Sequence, residues 1–359
     1  MSSETTPAEE LLGVELADGW KVVERLQTSP TSTGGQFSTQ WIVERGGERA
    51  FLKAIDIHKA LRRGGGEVMR VLQQVATEYN WERDLLAACA ERRMDRVVRA
   101  IGGGEHPLRG EDPSSMVFYL VFDLADGDIR AIHELAVQLD LGRIFRTLHD
   151  VSVGIEQLHA AGFTHQDVKP SNVLTYQEKR ELAKLGDLGR ASRIDASIGH
   201  DLLPFAGDPG HAPPEGLYGA SPPDWNGRRA CDLYHLGSLV LYLFAGTSAT
   251  AAWVQRLHPG LRPRGLGGPF EGTWADALPY VRNAMQEAAA EFPDFEEDDA
   301  RDVALGTFRE LCEPDPLLRG DPRARIGHGD PYSIRRYVSL FDHHAKRCER
   351  IVRKKTGAD

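Results

Sequence analysis

Between Thr164 and the apolar pair Val173-Leu174 the sequence reads His165-Gln166-Asp167-Val168-Lys169-Pro170-Ser171-Asn172. A carboxylate is followed two residues later by a cation and five residues later by a primary amide. That set suits the transfer of a phosphoryl group. Such a transfer needs little covalent help from a protein. It needs an acceptor hydroxyl oriented, phosphate charge neutralised and a metal ion held in place. Asp167 would orient the hydroxyl or accept its proton, Lys169 would reach the transferring phosphate, and Asn172 would bind the metal ion.

The stretch resembles the catalytic loop of the eukaryotic-like Ser/Thr protein kinases, a family with many bacterial members. Gln166 departs from it, standing where many members have Arg. Leu185-Gly186-Asp187-Leu188-Gly189 begins thirteen residues after Asn172 and resembles the family's Asp-Phe-Gly motif, with Leu188 for Phe. The resemblance makes Asp187 a ligand of Mg²⁺. Ala50-Phe51-Leu52-Lys53-Ala54-Ile55 resembles the strand that carries the ATP-contacting lysine, here Lys53. The usual partner of that lysine is a Glu on the next helix. Glu82, just ahead of Leu85 and Leu86, fits best, and Glu78, one turn earlier, is the alternative.

Further segments extend the resemblance from about residue 20 to residue 319. Thr33-Gly34-Gly35-Gln36-Phe37-Ser38 occupies the place of the glycine-rich loop. Gly34, Gly35 and the tip residue Phe37 would cover the nucleotide, while Thr33 and Ser38 stand where glycines are expected. Phe122 takes the gatekeeper position, and Asp123 and Ala125 would offer backbone groups to adenine. The stretch 207–215 resembles the end of an activation segment, with Asp208 in place of a Thr. Its Glu215 would pair with Arg319 as a structural brace. Asp232 would hold the backbone of the catalytic loop. The implied cofactors are ATP and Mg²⁺ (or Mn²⁺), and the implied substrate is a protein.

Two departures carry consequences. Gln166 cannot form an ion pair with a phosphorylated activation-loop residue, so activity independent of that modification is expected. The hydroxyls between Leu188 and Pro214 are Ser192 and Ser197. The Asp208 carboxylate would compete for Lys169 and repel Asp167. Asp208 and the eroded glycine loop favour a second reading, a pseudokinase that serves as a nucleotide-binding switch or scaffold. A third reading, a small-molecule kinase of the same superfamily, is disfavoured by Lys169-Pro170 and by Pro213-Pro214-Glu215.

The elements that must position these residues read as α+β, a bilobal protein-kinase-like fold. Residues 1–18 are expected to be a flexible arm and 19–124 a β-rich lobe with one main helix over 68–90. Strands are expected at 21–23, 37–44, 50–55, 97–101 and 116–122. Residues 125–331 read as a mainly helical lobe, with helical periodicity over 129–160 and 232–245. Residues 332–359 form a helical extension whose Lys- and Arg-rich end suits a helix C-terminus. It reads as a solvated docking helix, with partner binding through a basic patch as the alternative. The acidic run 296–299 reads as the first turn of a helix.

The 359 residues carry a formal net charge of −10, which argues against nucleic-acid binding as the main activity. Cys89, Cys231, Cys312 and Cys348 are widely spaced, form no metal-binding pair, and read as reduced thiols. The N-terminus is polar and the most apolar run, 236–245, is too short to span a bilayer. A cytoplasmic, bacterial protein without a membrane span is expected.

Overall fold

The computed structural model describes residues 5–26, 38–63, 68–110, 115–130, 140–177, 181–293 and 298–356. The chain divides into two compact units, Met1–Asp126 and Gly127–Asp359. The division lies two residues beyond the boundary expected from the sequence.

The first unit is built on an antiparallel sheet of β1 (Lys21–Arg25), β2 (Ser38–Arg45), β3 (Glu48–Ile55), β4 (Ala100–Pro107) and β5 (Met116–Asp123), in the order β1-β2-β3-β5-β4. Arg45 pairs with Glu48 across a two-residue turn, and Gly46 and Gly47 both have positive φ, as a tight hairpin requires. In β3 the residues Ala50, Leu52 and Ala54 are buried in one core, so Lys53 projects from the opposite face. Two helices follow, α1 (Ile57–Arg63) and α2 (Val68–Glu91). The buried stripe of α2 holds Val71, Val75, Tyr79, Leu85, Leu86 and Cys89, with Glu82 as its one carboxylate.

Two expectations for this unit are corrected. From Thr5 onward the N-terminal segment is not a loose arm. Ala8, Leu11, Leu16 and Trp20 enter the core under the sheet. Trp41 Nε1 donates to Ala8 O at 3.0 Å, and Thr6 Oγ1 donates to the buried Asp56 carboxylate at 2.7 Å. The fourth strand is also displaced. It runs through Gly102-Gly103-Gly104 rather than ending at Ile101. A Cβ on Gly102 would stand 2.5 Å from Asp18 Oδ2 and 3.3 Å from Trp20 Nε1, so glycine is what lets the N-terminal segment lie against the strand.

The second unit is mainly helical. Its principal helices are α3 (Leu141–Ala160), α4 (Pro214–Leu217), α5 (Trp225–Ala245), α6 (Ala249–Arg256), α7 (Trp274–Ala288), α8 (Asp298–Leu311), α9 (Pro322–Ile326) and α10 (Arg335–Thr356). Short strands β6 (Gly127–Asp128), β8 (Val173–Gln177) and β9 (Glu181–Leu185) make one sheet, while β7 (Phe163–Thr164) pairs with β10 (Ser192–Arg193). Helix α5 starts two turns earlier than its apolar pattern suggests, because Asp224 caps it by accepting from Gly227 N. It is buried without a break from Ala230 to Leu241, and Gly246 ends it at φ 74°.

Helix α3 begins at Leu141, where Asp140 accepts from Arg143 N. Residues 129–130 form a turn instead, and 131–139 lie outside the described residues. Helix α10 is part of this unit's body: Phe341 stacks near Phe145, and Arg146 binds both Asp342 and Glu349. Of the acidic run, residues 296–297 lie outside the described residues, and Asp299 pairs with Arg347. Among the described residues no single helix is long and apolar enough to cross a membrane.

Candidate active site

Helix α5 positions the catalytic-loop segment through one side chain. Asp232 is fully buried; its Oδ1 accepts from Gln166 N at 2.8 Å and its Oδ2 from His165 N at 2.9 Å. His159 Nε2 lies 2.9 Å from the same Oδ2. Burial by itself would raise the Asp232 pKa. The hydrogen bond from His159, the neighbouring imidazoles and the Gln166 N–H outweigh that and hold the carboxyl below its usual range. An ionised Asp232 therefore clamps two consecutive backbone amides, and Gln166 adopts a left-handed φ of 66° between them. A non-glycine residue there is strained by about 1–2 kcal/mol. The Gln166 side chain adds a further tie, Nε2 donating to Arg228 O at 2.9 Å.

The residues that follow lie close to one another. Lys169 Nζ lies 3.0 Å from Asp167 Oδ2 and 3.5 Å from Asp208 Oδ2. Asn172 Nδ2 donates to Asp167 O at 2.8 Å and to Asp167 Oδ2 at 3.2 Å. Asp208 N donates to Asp167 Oδ1 at 2.9 Å. Asp167, Lys169 and Asn172 are all buried. Burial would lower the Lys169 pKa, yet the charges of Asp167 and then of Asp208 and Asp187 hold it above its ordinary value. The ammonium is thus permanently charged at neutral pH. His211, on the same segment as Asp208, is kept toward its neutral form mainly by burial.

Gly207 makes the approach of the activation segment possible. A Cβ there would meet Asp167 Oδ1 at 2.5 Å and Gln166 O at 2.7 Å.

Asn172 and Asp187, the two residues expected from the sequence to hold a metal ion, come from two adjoining turns. Gly186 N donates to Asn172 O at 2.8 Å, and His165 Nε2 donates to Gly186 O at 3.0 Å. The next residue, Asp187, takes a left-handed φ of 58°, and Leu188 behind it is fully buried. Asn172 spends its amide nitrogen on Asp167; its amide oxygen accepts from Ser171 Oγ at 3.4 Å and is the group of this side chain able to meet a cation. One amide oxygen and one carboxylate form a hard-oxygen donor pair. That fits Mg²⁺, which takes few protein ligands and completes its shell with phosphate and water. Among the described residues no group of three or more His, Cys, Asp or Glu side chains could hold a metal ion by itself.

In the first unit, Lys53 Nζ is 2.9 Å from Glu82 Oε1 and 3.0 Å from Oε2. Of the two glutamates considered, Glu78 is taken by Gln74, whose Nε2 donates to it at 3.0 Å. Phe122 packs in β5 with its ring 6.2 Å from that of Phe51. Asp123 ends β5 near Arg99, and Ala125 is half-buried in the segment after it. Gly34, Gly35 and Phe37 lie outside the described residues.

Glu215 and Arg319 form a bidentate pair at 2.8 and 2.7 Å. All five guanidinium N–H groups are used, since Arg319 also donates to the carbonyls of Ala230, Glu313 and Pro314. The pair braces α4 and the start of α5 and touches none of the chemistry-bearing groups.

His159 and Arg228 were not foreseen. His159 carries a faint signal, a polar residue at the inner edge of an amphipathic helix end. Arg228 carries none, because what it contributes to Gln166 is a main-chain carbonyl.

A family described as "Protein kinase domain" matches residues 74–256. The chain is also similar to curated proteins. It is 36% identical over 108 residues to the serine/threonine-protein kinase/endoribonuclease IRE1a of Arabidopsis thaliana, covering 29% of this chain and 12% of that protein. It is 33% identical over 148 residues to the serine/threonine-protein kinase PkaB of Streptomyces coelicolor, covering 39% and 33%. A longer match, 25% identical over 279 residues, covers 75% of this chain and 67% of the phosphorylase b kinase gamma catalytic chain, liver/testis isoform, of Mus musculus. The chain spans from 11% to 33% of the length of the first three relatives it matches.

Proposed function

The chain belongs to the protein kinase family, and from that premise we propose that it is an ATP- and Mg²⁺-dependent kinase. It would move the γ-phosphate to Ser or Thr of protein substrates without needing phosphate on its own activation segment. One observation carries this reading above the others: Lys169 and Asn172 both converge on Asp167 at about hydrogen-bond length, and Asn172 is tied through Gly186 to the turn that presents Asp187.

In this reading Asp167 orients the acceptor hydroxyl and takes its proton. Lys169 offsets the charge that develops on the phosphoryl oxygens. Lys53, held by Glu82, contacts the phosphates of ATP. Asn172 and Asp187 would hold Mg²⁺, which supplies neutralisation of phosphate charge when bound. Gln166 supports phosphate independence, because its side chain is committed to Arg228 O and offers no cation to a modified segment.

One observation favours the pseudokinase reading. The Asp208 carboxylate stands beside Lys169 and draws on the cation that transfer requires. The two readings separate on purified protein incubated with Mg-ATP and a generic protein substrate, products being read by mass spectrometry. Phosphoserine or phosphothreonine formed by wild type and lost in Asp167→Ala supports the kinase. Nucleotide binding without transfer in either protein supports the switch or scaffold, and phosphotyrosine alone overturns the Ser/Thr assignment.

A further inference from the structure

The activation segment contains a buried carboxylate with an unusual set of partners. Asp201 is nearly inaccessible, its side chain 4% exposed. Its Oδ1 accepts from Ser192 Oγ at 2.5 Å, and its Oδ2 accepts from Ile198 N at 3.1 Å. The Arg228 guanidinium stands 3.6 Å from Oδ2 and donates to Arg193 O at 3.1 Å. Ser192 and Arg193 form β10, which pairs with Thr164 and Phe163 of β7, the strand that leads directly into His165. Arg228 O receives the Gln166 side chain. The circuit is closed: Asp201 holds Ser192 and Arg228, and Arg228 holds Arg193 and, through its carbonyl, the residue next to Asp167.

From this circuit we infer that Asp201 and Arg228 are positioning residues for the phosphoryl transfer, a built-in anion–cation pair that orders the activation segment and the catalytic loop together. The inference rests on the proposed kinase activity and supplies a structural cause for its independence from phosphorylation. An added phosphate orders a segment by giving a cation a fixed anion to hold. Here the anion is encoded as Asp201, the cation comes from α5, and Ser192 is already spent as a donor beneath the surface. Ser197, the other hydroxyl of the segment, is exposed and outside the circuit.

The test uses the full-length protein, phosphatase-treated, with variants Asp201→Asn, Arg228→Met, their double, Arg228→Lys and Ser197→Ala. Transfer kinetics are measured together with amide hydrogen exchange over 163–167 and 190–202. Loosening the loop by a fraction of an ångström is expected to lower kcat by about 10–100-fold in Asp201→Asn and Arg228→Met, while KM for ATP moves less than about threefold. The double variant loses no more than the worse single one, as expected for a shared interaction. Arg228→Lys recovers part of the rate, Ser197→Ala keeps it, and exchange rises in both segments. Additive losses, or unchanged exchange in the single variants, overturn the inference. If wild type transfers no phosphate the kinase reading falls, and exchange alone then decides the brace: unchanged protection in Asp201→Asn and Arg228→Met rejects it, and increased protection loss in both segments sustains it.

Discussion

Asp208 donates its backbone N–H to Asp167 Oδ1 at 2.9 Å while its own carboxylate faces Lys169 Nζ at 3.5 Å. The backbone contact orients Asp167, and the side chain competes for the cation beside it. The two effects separate in Asp208→Asn, which keeps the N–H and an oxygen for Gly210 N but removes the charge. Lys169 and Asp208 are both largely buried, and releasing about 1 kcal/mol of their attraction corresponds to a rate gain of roughly fivefold. Steady-state kinetics should show kcat rising in Asp208→Asn; a comparable fall would mean that the carboxylate serves the transfer.

Gly207 should tolerate no side chain. The Cβ of Gly207→Ala would collide with Asp167 Oδ1, which already accepts from Asp208 N, and with the carbonyl oxygen of Gln166, a residue whose N–H is clamped by Asp232. The displaced Asp167 is expected to cost on the order of 100-fold in kcat. Nucleotide affinity, read by calorimetry, should change little. Unaltered kcat would show that the loop yields freely, against the rigidity argued for it.

The Glu215–Arg319 brace predicts a large stability effect. Glu215→Ala leaves a fully buried guanidinium without its counter-charge, a loss of about 3–5 kcal/mol. Thermal unfolding of the second unit should shift down by roughly 10 °C. A shift of only a degree or two would mean that the three carbonyl bonds of Arg319 suffice.

The catalytic-loop residues were legible because their chemistry is local, with Asp167, Lys169 and Asn172 lying within six positions. What closes the site is not local. Gln166 finds its partner 62 residues away, on a main-chain carbonyl that every residue type possesses. Gly207 reveals its purpose only when the Asp167 oxygen is seen to occupy the place of a Cβ. The fold shows the same division. The β-type runs of β2 and β3 marked those strands, whereas most of β4, beyond Ile101, was hidden by three consecutive glycines that ordinarily weaken a strand. The N-terminal segment looked unstructured because it is mostly polar, yet its Ala8, Leu11 and Leu16 join one buried cluster with Trp20 and Trp41.

Acid sensitivity should trace in part to His235. Burial lowers its pKa from 6.5 to about 3, so the folded protein keeps it neutral while the unfolded chain protonates it near 6.5. A depressed folded pKa contributes stability that is complete above about pH 6.5 and lost as pH falls toward 3. The slope is up to ~1.4 kcal/mol per pH unit for one group. His211, also lowered by burial, adds in the same direction. Melting temperatures measured from pH 4 to 7.5 should fall with acid in wild type and fall less steeply in His235→Gln. Parallel curves would assign the acid loss to other groups.

The chain is expected to transfer phosphate while its own activation segment carries none. The most direct measurement is the initial rate of transfer from Mg-ATP by protein that has been phosphatase-treated and shown by intact mass to be unmodified, with Asp167→Ala as the blank. A linear time course from the first turnovers is expected, with phosphate on Ser or Thr of the substrate and no signal in the blank. A lag that ends only as the enzyme modifies its own segment, or no transfer despite bound nucleotide, would contradict it.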